Sequence, residues 1–404
     1  MGAPKRKIIN DPVYGFITIN HPLIFSILAH PYYQRLRRIT QMAMGQLVYP
    51  GAVHTRFHHS LGAYHLMGNA VNELRSKGTD ITEEEETAVK AAILLHDIGH
   101  GPYSHALEHV VVKGVHHEAL SLQIMHEMNA AFDGQLTLAI QIFTGAYHKP
   151  FLHQLISGQL DVDRMDYLSR DSFFCGVSEG VIGYDRILKM LIVVDGQLMI
   201  EEKGIYSVEK FLVARRQMYW QVYLHKTVLS AEKMLVKILE RARSLYTSTD
   251  AAMQTGSALD YFLGSFNGTM DAHALAQFCA LDDHDIMHAI KRWSAHPDKV
   301  LSLLCSRFLS RQLYKTTIQS EPFLPATIAT KQKESLDAFN LDASEVDFVC
   351  FTGEATNTLY QTKDERINIL FKDGSIKDIS LIDNALIHQN LSAAVKKNYI
   401  CQLL

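Results

Sequence analysis

The feature that most constrains this chain is an apolar run that ends in adjacent histidine and aspartate residues. Residues 91–95 read AAILL, His96 and Asp97 follow directly, and two glycines and a proline then break the pattern. The capping-box spacing that begins at Thr82 predicts a helix from there to Gly99. His96 shares an apolar face of that helix, and a buried carboxylate without a partner is costly, so a divalent metal ion would satisfy the pair. A lone His-Asp pair is common by chance, and the inference therefore requires further ligands elsewhere.

A second histidine-rich stretch, HTRFHHSLG at residues 54–62, opens another predicted helix. Apolar residues at helical spacing give this helix one continuous stripe: Phe57, Leu61, Tyr64, Met67, Val71 and Leu74. A helical wheel places His58 with His65 on a polar stripe that faces solvent, and His59 with Leu66 on a second apolar face. His59, rather than His58, is therefore the buried histidine and the better candidate ligand.

Acidic residues are concentrated in a third stretch, QLDVDRMDYLSRD at residues 159–171. Asp163, Tyr167 and Arg170 recur at helical spacing and share one face. This pattern fits either the charged face of a surface helix or the wall of a polar site.

Further titratable residues follow the Gly-Pro break after Asp97. His105 and Glu108 lie one helical turn apart, and Glu118 follows His117 directly. Each of these residues alone is more often a surface side chain. Close in sequence to a candidate metal site, they become candidates for acid–base catalysis.

The overall composition narrows the class of protein. The 404 residues are 47% hydrophobic and 20% charged, which is typical of a globular protein with a sizeable core. The formal net charge of −4 gives no general attraction for nucleic acid. The five cysteines show no Cys-x-x-Cys spacing, so neither a zinc ribbon nor a disulfide framework is indicated. We find no signal-peptide pattern and no apolar run of membrane-spanning length, which predicts a cytoplasmic protein without a membrane partner.

One short run is strongly basic, although the chain as a whole carries a small negative charge. Residues 34–41 read QRLRRITQ, at the end of a helical pattern that begins near His21. This basic run is either a solvated helix face or a contact for an anion or a nucleotide.

The remaining patterns are mainly helical, with short strands at several places. Hairpins are predicted on an Asp-Pro turn within residues 8–19 and on an Asp-Gly turn within residues 191–200. One long uninterrupted helix is predicted from Phe211 to about Tyr246. Strand-like patterns return at residues 344–360 and 367–379.

These elements predict a mainly α fold: a helical core with small β-hairpins and a smaller α+β C-terminal lobe. The core is expected to span residues 1–245 and to include the long helix. A helical extension is predicted for residues 246–320, and the C-terminal lobe for residues 321–404.

The ordered set His59, His96-Asp97 and Asp163 resembles the H…HD…D motif of the HD-domain phosphohydrolase superfamily. The blocks HTRFHHSLG, HDIGHGPYSH and DVDRMDYLSRD further resemble its deoxynucleoside triphosphate triphosphohydrolase branch, which includes bacterial dGTPases and the mammalian SAM- and HD-domain dNTP hydrolase. The segments INDPVYGFI, PYYQRLRRITQM and ARRQMYWQVYLHKT are similar to the same branch. The resemblance therefore covers roughly residues 8–245.

This resemblance implies a helical HD core that binds a divalent metal ion through His59, His96, Asp97 and Asp163. Such a mixed set of imidazoles and carboxylates suits Mn, Fe, Ni, Co or Zn, and Mg less naturally. The implied reaction is hydrolysis of a dNTP by water attack on the α-phosphorus, which yields a deoxynucleoside and intact triphosphate. The family also forms dimers and tetramers, so a homo-oligomer is expected.

The resemblance also implies roles residue by residue. The catalytic group comprises His105, its partner Glu108, and His117 near the leaving group. Cationic side chains near the phosphates would stabilise developing charge, and these are Arg56, His100, Arg164 and Arg215. The sugar pocket comprises Gln41, Tyr167, Asp171 and Tyr223. Tyr167 is expected to exclude a 2′-hydroxyl, while Gln41 and Asp171 bind the 3′-hydroxyl.

Two positions depart from the mammalian pattern. Ala29 stands where the mammalian enzyme has the regulatory Asp that reads guanine, so activation by dGTP in the mammalian manner is not expected. Arg164 replaces a phosphate-contacting lysine, which keeps the charge and changes its geometry.

Two other functions stay open at this point. An HD phosphohydrolase could act on another nucleotide, such as an alarmone or a nucleoside monophosphate, although the sugar-pocket residues favour a dNTP. A nucleotide- or nucleic-acid-binding regulator with a vestigial site is the second alternative, and the filled ligand positions argue against it. The basic run keeps contact with single-stranded nucleic acid open as a side activity, which salt would weaken steeply.

Overall fold

The computed structural model describes residues 6–112, 114–357, 366–382 and 395–404. Within these ranges the chain is mainly helical with small β-sheets, as the sequence predicts. One continuous cluster of buried apolar side chains joins residues from Ile17 to Leu403. No helix in the described ranges is long and apolar enough to cross a membrane.

The candidate ligands lie among the helices of the N-terminal half. These helices are α1 (Pro22–Ala29), α2 (Pro31–Gln34), α3 (Arg56–Ser76), α4 (Glu83–Leu95), α5 (Glu108–Val111), α6 (His117–Ala131), α7 (Thr137–Phe143), α8 (Pro150–Gln154), α9 (Val162–Cys175), α10 (Tyr184–Met190), α11 (Ile205–Met218) and α12 (Lys226–Leu245). Helix α3 packs against both α4 and α9. Its predicted apolar stripe is buried from Phe57 to Leu74, because both of these neighbours cover it.

Further helices follow in the C-terminal half. They are α13 (Leu259–Gly264), α14 (Ala272–Ala280), α15 (Asp283–Trp293), α16 (Lys299–Leu309), α17 (Pro325–Phe339) and α18 (Val346–Val349). Short 3-10 segments span Arg35–Arg38, Gly45–Leu47, Ser104–Ala106, Glu202–Gly204, Ala343–Glu345 and Ile379–Leu381. Aspartate side chains cap α14 and α16, where Asp271 accepts from the backbone of Ala274 and Asp298 from that of Leu301.

The prediction of one uninterrupted helix from Phe211 to about Tyr246 is wrong. Helix α11 ends at Met218, a π-helical turn spans Tyr219–Tyr223, and α12 begins only at Lys226. The imidazole of His225 accepts a hydrogen bond from the backbone N–H of Thr227 (3.2 Å) and so acts as the N-cap of α12. Glycine and proline, which usually mark a helix break, do not occur between Phe211 and Tyr246, so the sequence pattern does not predict this break.

The strands form three small sheets within the described ranges. Strands β1 (Lys7–Asp11) and β2 (Gly15–Ile19) pair antiparallel, and β3 (Leu191–Val194) pairs with β4 (Gln197–Glu201), which confirms both predicted hairpins. At the second hairpin turn Asp195 and Gly196 both have positive φ angles (50° and 75°), as a tight turn of this type requires. The remaining strands are β5 (Lys315–Gln319), β6 (Cys350–Asn357), β7 (Asn368–Leu370), β8 (Ile376–Asp378) and β9 (Val395–Gln402).

The C-terminal strands are shorter than predicted and are not all separate from the core. The segment expected to be strand from residue 344 begins with 3-10 and α-helical turns, and β6 starts only at Cys350; residues 358–360 lie outside the described ranges. Strand β7 pairs in parallel with β4, so the second hairpin and β8 join in one sheet of order β3-β4-β7-β8. The boundaries at residues 245 and 320 stay predictions.

The basic run at residues 34–41 is divided between packing and solvent, because Arg35 is buried whereas Arg37 and Arg38 are exposed. Arg35 is only 1% exposed and donates to backbone carbonyls, while the guanidinium of Arg37 lies 3.5 Å from the ring centroid of Phe57. Arg38 forms an ion pair with Asp282. The predicted helix from His21 is also interrupted, because it divides into α1, α2 and a 3-10 turn.

Gly62 lies where the backbone of α3 approaches a buried network of charges. Arg170 donates to Asp166 (Nε to Oδ2, 3.0 Å) and to Asp11 (Nη1 to Oδ2, 2.8 Å), and all three side chains are buried. A Cβ atom at Gly62 would collide with Asp166 Oδ1 and with Arg170 Nη2. Glycine is therefore required at this position for the network to form.

We expect Gly62→Ala to lower the free energy of unfolding by about 3 kcal/mol or more, because the added methyl group displaces a buried charge from its partner. Gly68→Ala, on the same helix, is the matched control: its Cβ would meet only the flexible end of Lys90 at 3.1 Å, and the change should be neutral or stabilising. Urea-induced unfolding measured by circular dichroism compares the two variants. Equal stabilities would contradict this account.

Candidate active site

Three helices bring four candidate ligands to one point. His59 lies on α3, His96 and Asp97 follow α4, and Asp163 lies in the first turn of α9. His59 Nε2 is 3.0 Å from Asp163 Oδ1 and 3.6 Å from Asp97 Oδ2. His96 Nε2 is 3.4 Å from Asp163 Oδ1 and 3.3 Å from Asp97 Oδ1. His59, His96 and Asp163 therefore bring one donor atom each close enough together to hold one metal ion, and Asp97 lies beside them.

The two imidazoles at this point are prepared to bind a metal ion. The Nδ1 atom of His59 is bonded to Asp166 Oδ2 (2.7 Å), and the Nδ1 atom of His96 to the carbonyl of Ile93 (2.7 Å). Both bonds place the proton on Nδ1 and leave a lone pair on Nε2. Each Nε2 is buried and has no hydrogen-bond partner among the described residues. A metal ion that lies about 2.1 Å from each donor atom places neighbouring donor atoms about 3.0 to 3.4 Å apart, which is close to the separations found here.

The charges at this point also favour a cation. Burial alone would lower the pKa of His59, but the carboxylates of Asp163 and Asp166 raise it to about 10. Burial would raise the pKa of Asp163, yet His59 and His96 hold it well below its ordinary value. The local field therefore attracts positive charge, either as a proton or as a metal ion.

Helix α4 ends at Leu95, four residues before the predicted stop at Gly99. The hydroxyl of Ser121 on α6 donates to the carbonyl of His96 (2.7 Å) and accepts from the N–H of Gly99 (2.9 Å). A side chain at Gly99 would collide with the backbone of α6, so glycine permits this approach. The sequence pattern could not reveal Ser121, because it comes from another helix.

The expectation that His58 faces solvent is wrong, and the predicted face of α9 is buried at Arg170. His58 is half-buried rather than facing solvent, because α3 begins at Arg56 and the imidazole of His58 accepts from the N–H of Thr55 (3.1 Å) in the N-terminal cap. Arg170 lies at the predicted helical spacing from Asp163 and Tyr167 on α9, but it is fully buried in the charge network beside Gly62.

A cavity of about 510 Å³ adjoins the candidate metal site. Most of the residues that the resemblance implied line this cavity: Gln41, Arg56, Asp97, His100, His105, His117, Asp163, Tyr167, Asp171 and Tyr223. The π-helical turn and α12 supply further lining residues that the sequence analysis missed: Tyr219, Val222, Val228 and Glu232. Burial raises the pKa of Glu232 to about 7. A small ligand in this cavity would contact both polar and apolar surface.

Glu108 joins the two histidines that were predicted to be catalytic. Its Oε2 lies 3.0 Å from His105 Nδ1, and its Oε1 lies 2.7 Å from His117 Nδ1 and accepts from the His117 backbone N–H (3.0 Å). Burial opposes the charge on Glu108, but these hydrogen bonds hold its pKa well below the ordinary value. The ionised carboxylate therefore orients both rings, with Nε2 of each left for a substrate.

His100 lies between these rings and the metal site. Its ring stacks on that of His117 with centroids 4.0 Å apart and an interplanar angle of 18°, and its Nε2 is 3.4 Å from Asp97 Oδ1. The nitrogens of His100, His105 and His117 are close enough together to consider a second metal site. Stacked rings, however, direct their in-plane lone pairs in parallel rather than toward one point. The stacked pair is therefore poorly arranged to chelate one ion. Burial and the charge of Arg56 also hold the pKa of His100 well below its ordinary value, so His100 is not the cationic group that the resemblance implied.

The predicted sugar pocket is held by a residue that the sequence analysis missed. One oxygen of Asp171 is bonded to His54 Nε2 (2.6 Å), and the other accepts from the hydroxyl of Tyr223 (2.7 Å). Gln41 Oε1 is buried in the cavity wall and has no hydrogen-bond partner among the described residues. An unpartnered acceptor at this place is suited to a hydroxyl group of a ligand.

Two of the three arginines predicted near the phosphates, Arg164 and Arg215, lie beside Tyr167 rather than in the cavity wall. Arg164 is paired with Asp161, the N-cap of α9, and Arg215 Nη1 donates to Gln159 Oε1 (3.2 Å). Burial raises the pKa of Tyr167 to about 12, and both guanidinium groups oppose that shift. Neither arginine therefore lines the cavity together with Arg56 and the other implied residues.

Comparisons with known proteins agree with this geometry. The chain matches the HD domain over residues 56–171, a range that contains all four candidate ligands, and the HD-associated region over residues 182–261. A crystal structure of a phosphohydrolase from Bacteroides thetaiotaomicron is 48% identical, covers 98% of this chain and 100% of its own, and has a TM-score of 0.92. The protein YwfO of Bacillus subtilis is 32% identical over 93% of this chain and 87% of its own length. The chain belongs to the HD-domain phosphohydrolase family.

Some relatives carry the name of a specific activity. The deoxynucleoside triphosphate triphosphohydrolase SAMHD1 of Homo sapiens is 30% identical over 61% of this chain, and the SAMHD1 homolog of Dictyostelium discoideum is 31% identical over the same share. The chain spans about half the length of these two relatives, 46% and 51% respectively.

We expect Asp166→Asn to weaken Mn²⁺ binding by about 10- to 100-fold, because His59 would lose the carboxylate that fixes its tautomer. Asp11→Asn is the matched control, since Asp11 contacts Arg170 in the same charge network but does not contact His59. Isothermal titration with Mn²⁺ measures both affinities. Equal losses in the two variants would show that the network, and not the orientation of His59, sets the affinity.

Proposed function

We propose that this protein is a metal-dependent hydrolase that converts dNTPs into deoxynucleosides and triphosphate. One observation carries the proposal: a single cavity is lined by Asp97 and Asp163 of the candidate metal site, by His105, and by the sugar-pocket residues Gln41 and Tyr167. Membership of the HD-domain phosphohydrolase family and relatives named for this activity support it.

The residues that would hold the ion are His59, His96, Asp97 and Asp163. When bound, a divalent ion would polarise the α-phosphoryl group and orient a water molecule for in-line attack. Arg56 pairs with Asp97 and lines the cavity, so its remaining N–H groups face a phosphate bound there. His100, whose Nε2 faces Asp97 and whose ring stacks on that of His117, lines the same cavity.

His105 is the proposed general acid. The bond from its Nδ1 to Glu108 orients the ring and leaves Nε2 for the substrate. As the water oxygen forms its bond to the α-phosphorus, the bond from phosphorus to O5′ breaks and O5′ takes the proton from His105. The products are a deoxynucleoside with a 5′-hydroxyl and triphosphate that contains the water oxygen. His117, held by the same Glu108 carboxylate, supports charge near the leaving group.

The sugar would be held by Gln41, Tyr167, Asp171 and Tyr223. Gln41 Oε1 offers a buried acceptor to the 3′-hydroxyl. Asp171 already accepts from His54 and Tyr223, so it would bind the same hydroxyl through its remaining lone pairs. The ring of Tyr167 in the cavity wall would exclude a 2′-hydroxyl.

We expect the purified protein with Mn²⁺ to release deoxynucleoside and intact triphosphate from at least one dNTP, because water attack at the α-phosphorus leaves the three phosphates joined. Chromatography of each reaction with dNTPs, rNTPs, alarmones and nucleoside monophosphates identifies the products. His96→Ala/Asp97→Ala is the control that should lose turnover.

Each other outcome of this assay points to a different function. Release of pyrophosphate or phosphate would place the protein in another branch of the HD family that acts on a different nucleotide. Absence of turnover with every substrate and metal, even in mixtures of dNTPs, would favour a nucleotide-binding regulator. The predictions of a homo-oligomer and of a cytoplasmic location do not depend on either outcome.

We expect Tyr167→Ala to raise the ratio of kcat/KM for an rNTP over the matching dNTP by about tenfold or more, because removing the ring opens space for a 2′-hydroxyl. Tyr167→Phe is the matched control, since it keeps the ring and should keep the discrimination. Steady-state kinetics with dGTP and GTP measures the ratio for each variant. An unchanged ratio in Tyr167→Ala would show that another residue excludes ribose.

A further inference from the structure

The turn that presents His105 to the cavity is strained. Tyr103 and Ser104 both have φ angles of 52°, in the left-handed region that non-glycine residues rarely adopt. Two such residues in succession persist only where neighbouring groups hold them. The groups that hold this turn are therefore part of what places His105.

A carboxylate from the C-terminal half of the chain holds this turn. Asp283 Oδ1 accepts from the backbone N–H of Tyr103 (2.7 Å), and its Oδ2 accepts from both the N–H and the hydroxyl of Thr40 (2.8 Å each). Asp283 is the first residue of α15 and is only 7% exposed. One buried side chain thus joins two loops that are far apart in the sequence.

Both loops lead directly to residues of the site. Thr40 precedes Gln41 in the chain, and its carbonyl accepts from the hydroxyl of Ser104 (3.1 Å). The same hydroxyl accepts from Arg56 Nε (2.7 Å), and Arg56 pairs with Asp97. A shift of Asp283 would therefore be transmitted to the sugar pocket through Thr40 and to His105 through Tyr103.

The start of α15 is itself fixed from two sides. Asp282 caps the helix and forms an ion pair with Arg38. The carbonyl of Leu281 accepts from Arg35 Nη1 (3.1 Å), while Nη2 of the same arginine donates to the carbonyl of Ile98 (2.9 Å) in the turn after α4. Asp283 thus belongs to a segment that is bonded to the turn after α4, as a positioning role requires.

We propose that Asp283 is a positioning residue. It holds the loop that contains Thr40 and Gln41 and the turn that contains Tyr103 and His105 at the relative position that the reaction needs. It does not line the cavity and would not touch the substrate, so it acts through Thr40 and Tyr103. Its role in turnover rests on the proposed function, whereas its role in ordering the two loops does not.

The test replaces Asp283 by Asn, whose single acceptor oxygen cannot serve three donors. Asp285→Asn is the matched control, because Asp285 belongs to the same helix cap and contacts neither loop. Hydrogen exchange followed by mass spectrometry should show about tenfold faster exchange in peptides covering residues 37–47 and 100–107 in Asp283→Asn alone. Exchange in both peptides equal to that of Asp285→Asn would overturn the proposal.

Kinetics then link the ordering of the loops to turnover. If the protein hydrolyses a dNTP, kcat/KM should fall about 10- to 100-fold in Asp283→Asn, with unchanged Mn²⁺ content. Failure of the wild-type protein to turn over any dNTP would remove the proposed function and leave the exchange result to decide the positioning role. A kcat/KM within twofold of that of Asp285→Asn would overturn the link to turnover.

A milder pair of variants keeps the proposal testable should Asp283→Asn fail to fold. Thr40→Val removes one of the three donors, while Thr40→Ser keeps it. The valine variant should show faster exchange in the Tyr103 peptide, and the serine variant should restore the wild-type rate. Identical exchange in the valine variant and the wild type would count against the proposal.

Discussion

Two buried imidazole nitrogens without hydrogen-bond partners are the constraint on which the site depends. His59 and His96 each hold a proton on Nδ1 through a fixed acceptor, so each Nε2 presents a lone pair to the same point. Leaving a buried acceptor unpaired costs about 1–3 kcal/mol, and Asp97 and Asp163 add negative charge beside both. A cation at this point would remove both penalties, so the packing of α3, α4 and α9 already specifies what must bind there.

The structure around this point keeps the donors in place by long-range contacts. Asp166 orients His59 and is itself neutralised by Arg170, which Gly62 allows to approach α3. Ser121 ends α4 early enough for His96 and Asp97 to leave the helix. On the cavity side, Glu108 orients the imidazoles of His105 and His117, as Asp166 orients that of His59. Carboxylates thus orient three of the histidines to which the proposal gives a role: His59, His105 and His117.

Local periodicity was sufficient to predict much of the fold and the burial of His59, whereas the full set of candidate ligands came from the resemblance to the HD family. The wheel of α3 identified His59 as buried, and the capping box at Thr82 fixed the start of α4. Local periodicity could not predict contacts between segments that are distant in the sequence. Asp283 binds Thr40 across 243 residues, and His54 binds Asp171 across 117. The break before His225 was also missed, because it carries no glycine or proline and depends on the packing of the π-helical turn in the cavity wall.

The measurement that tests this account most directly is anomalous X-ray scattering from crystals grown with Mn²⁺. The account predicts one strong peak bounded by the Nε2 atoms of His59 and His96 and by carboxylate oxygens of Asp97 and Asp163. That peak should disappear in His96→Ala/Asp97→Ala while the fold is retained. A fully occupied ion among His100, His105 and His117 instead, or no ion at the predicted point at saturating Mn²⁺, would contradict the central claim.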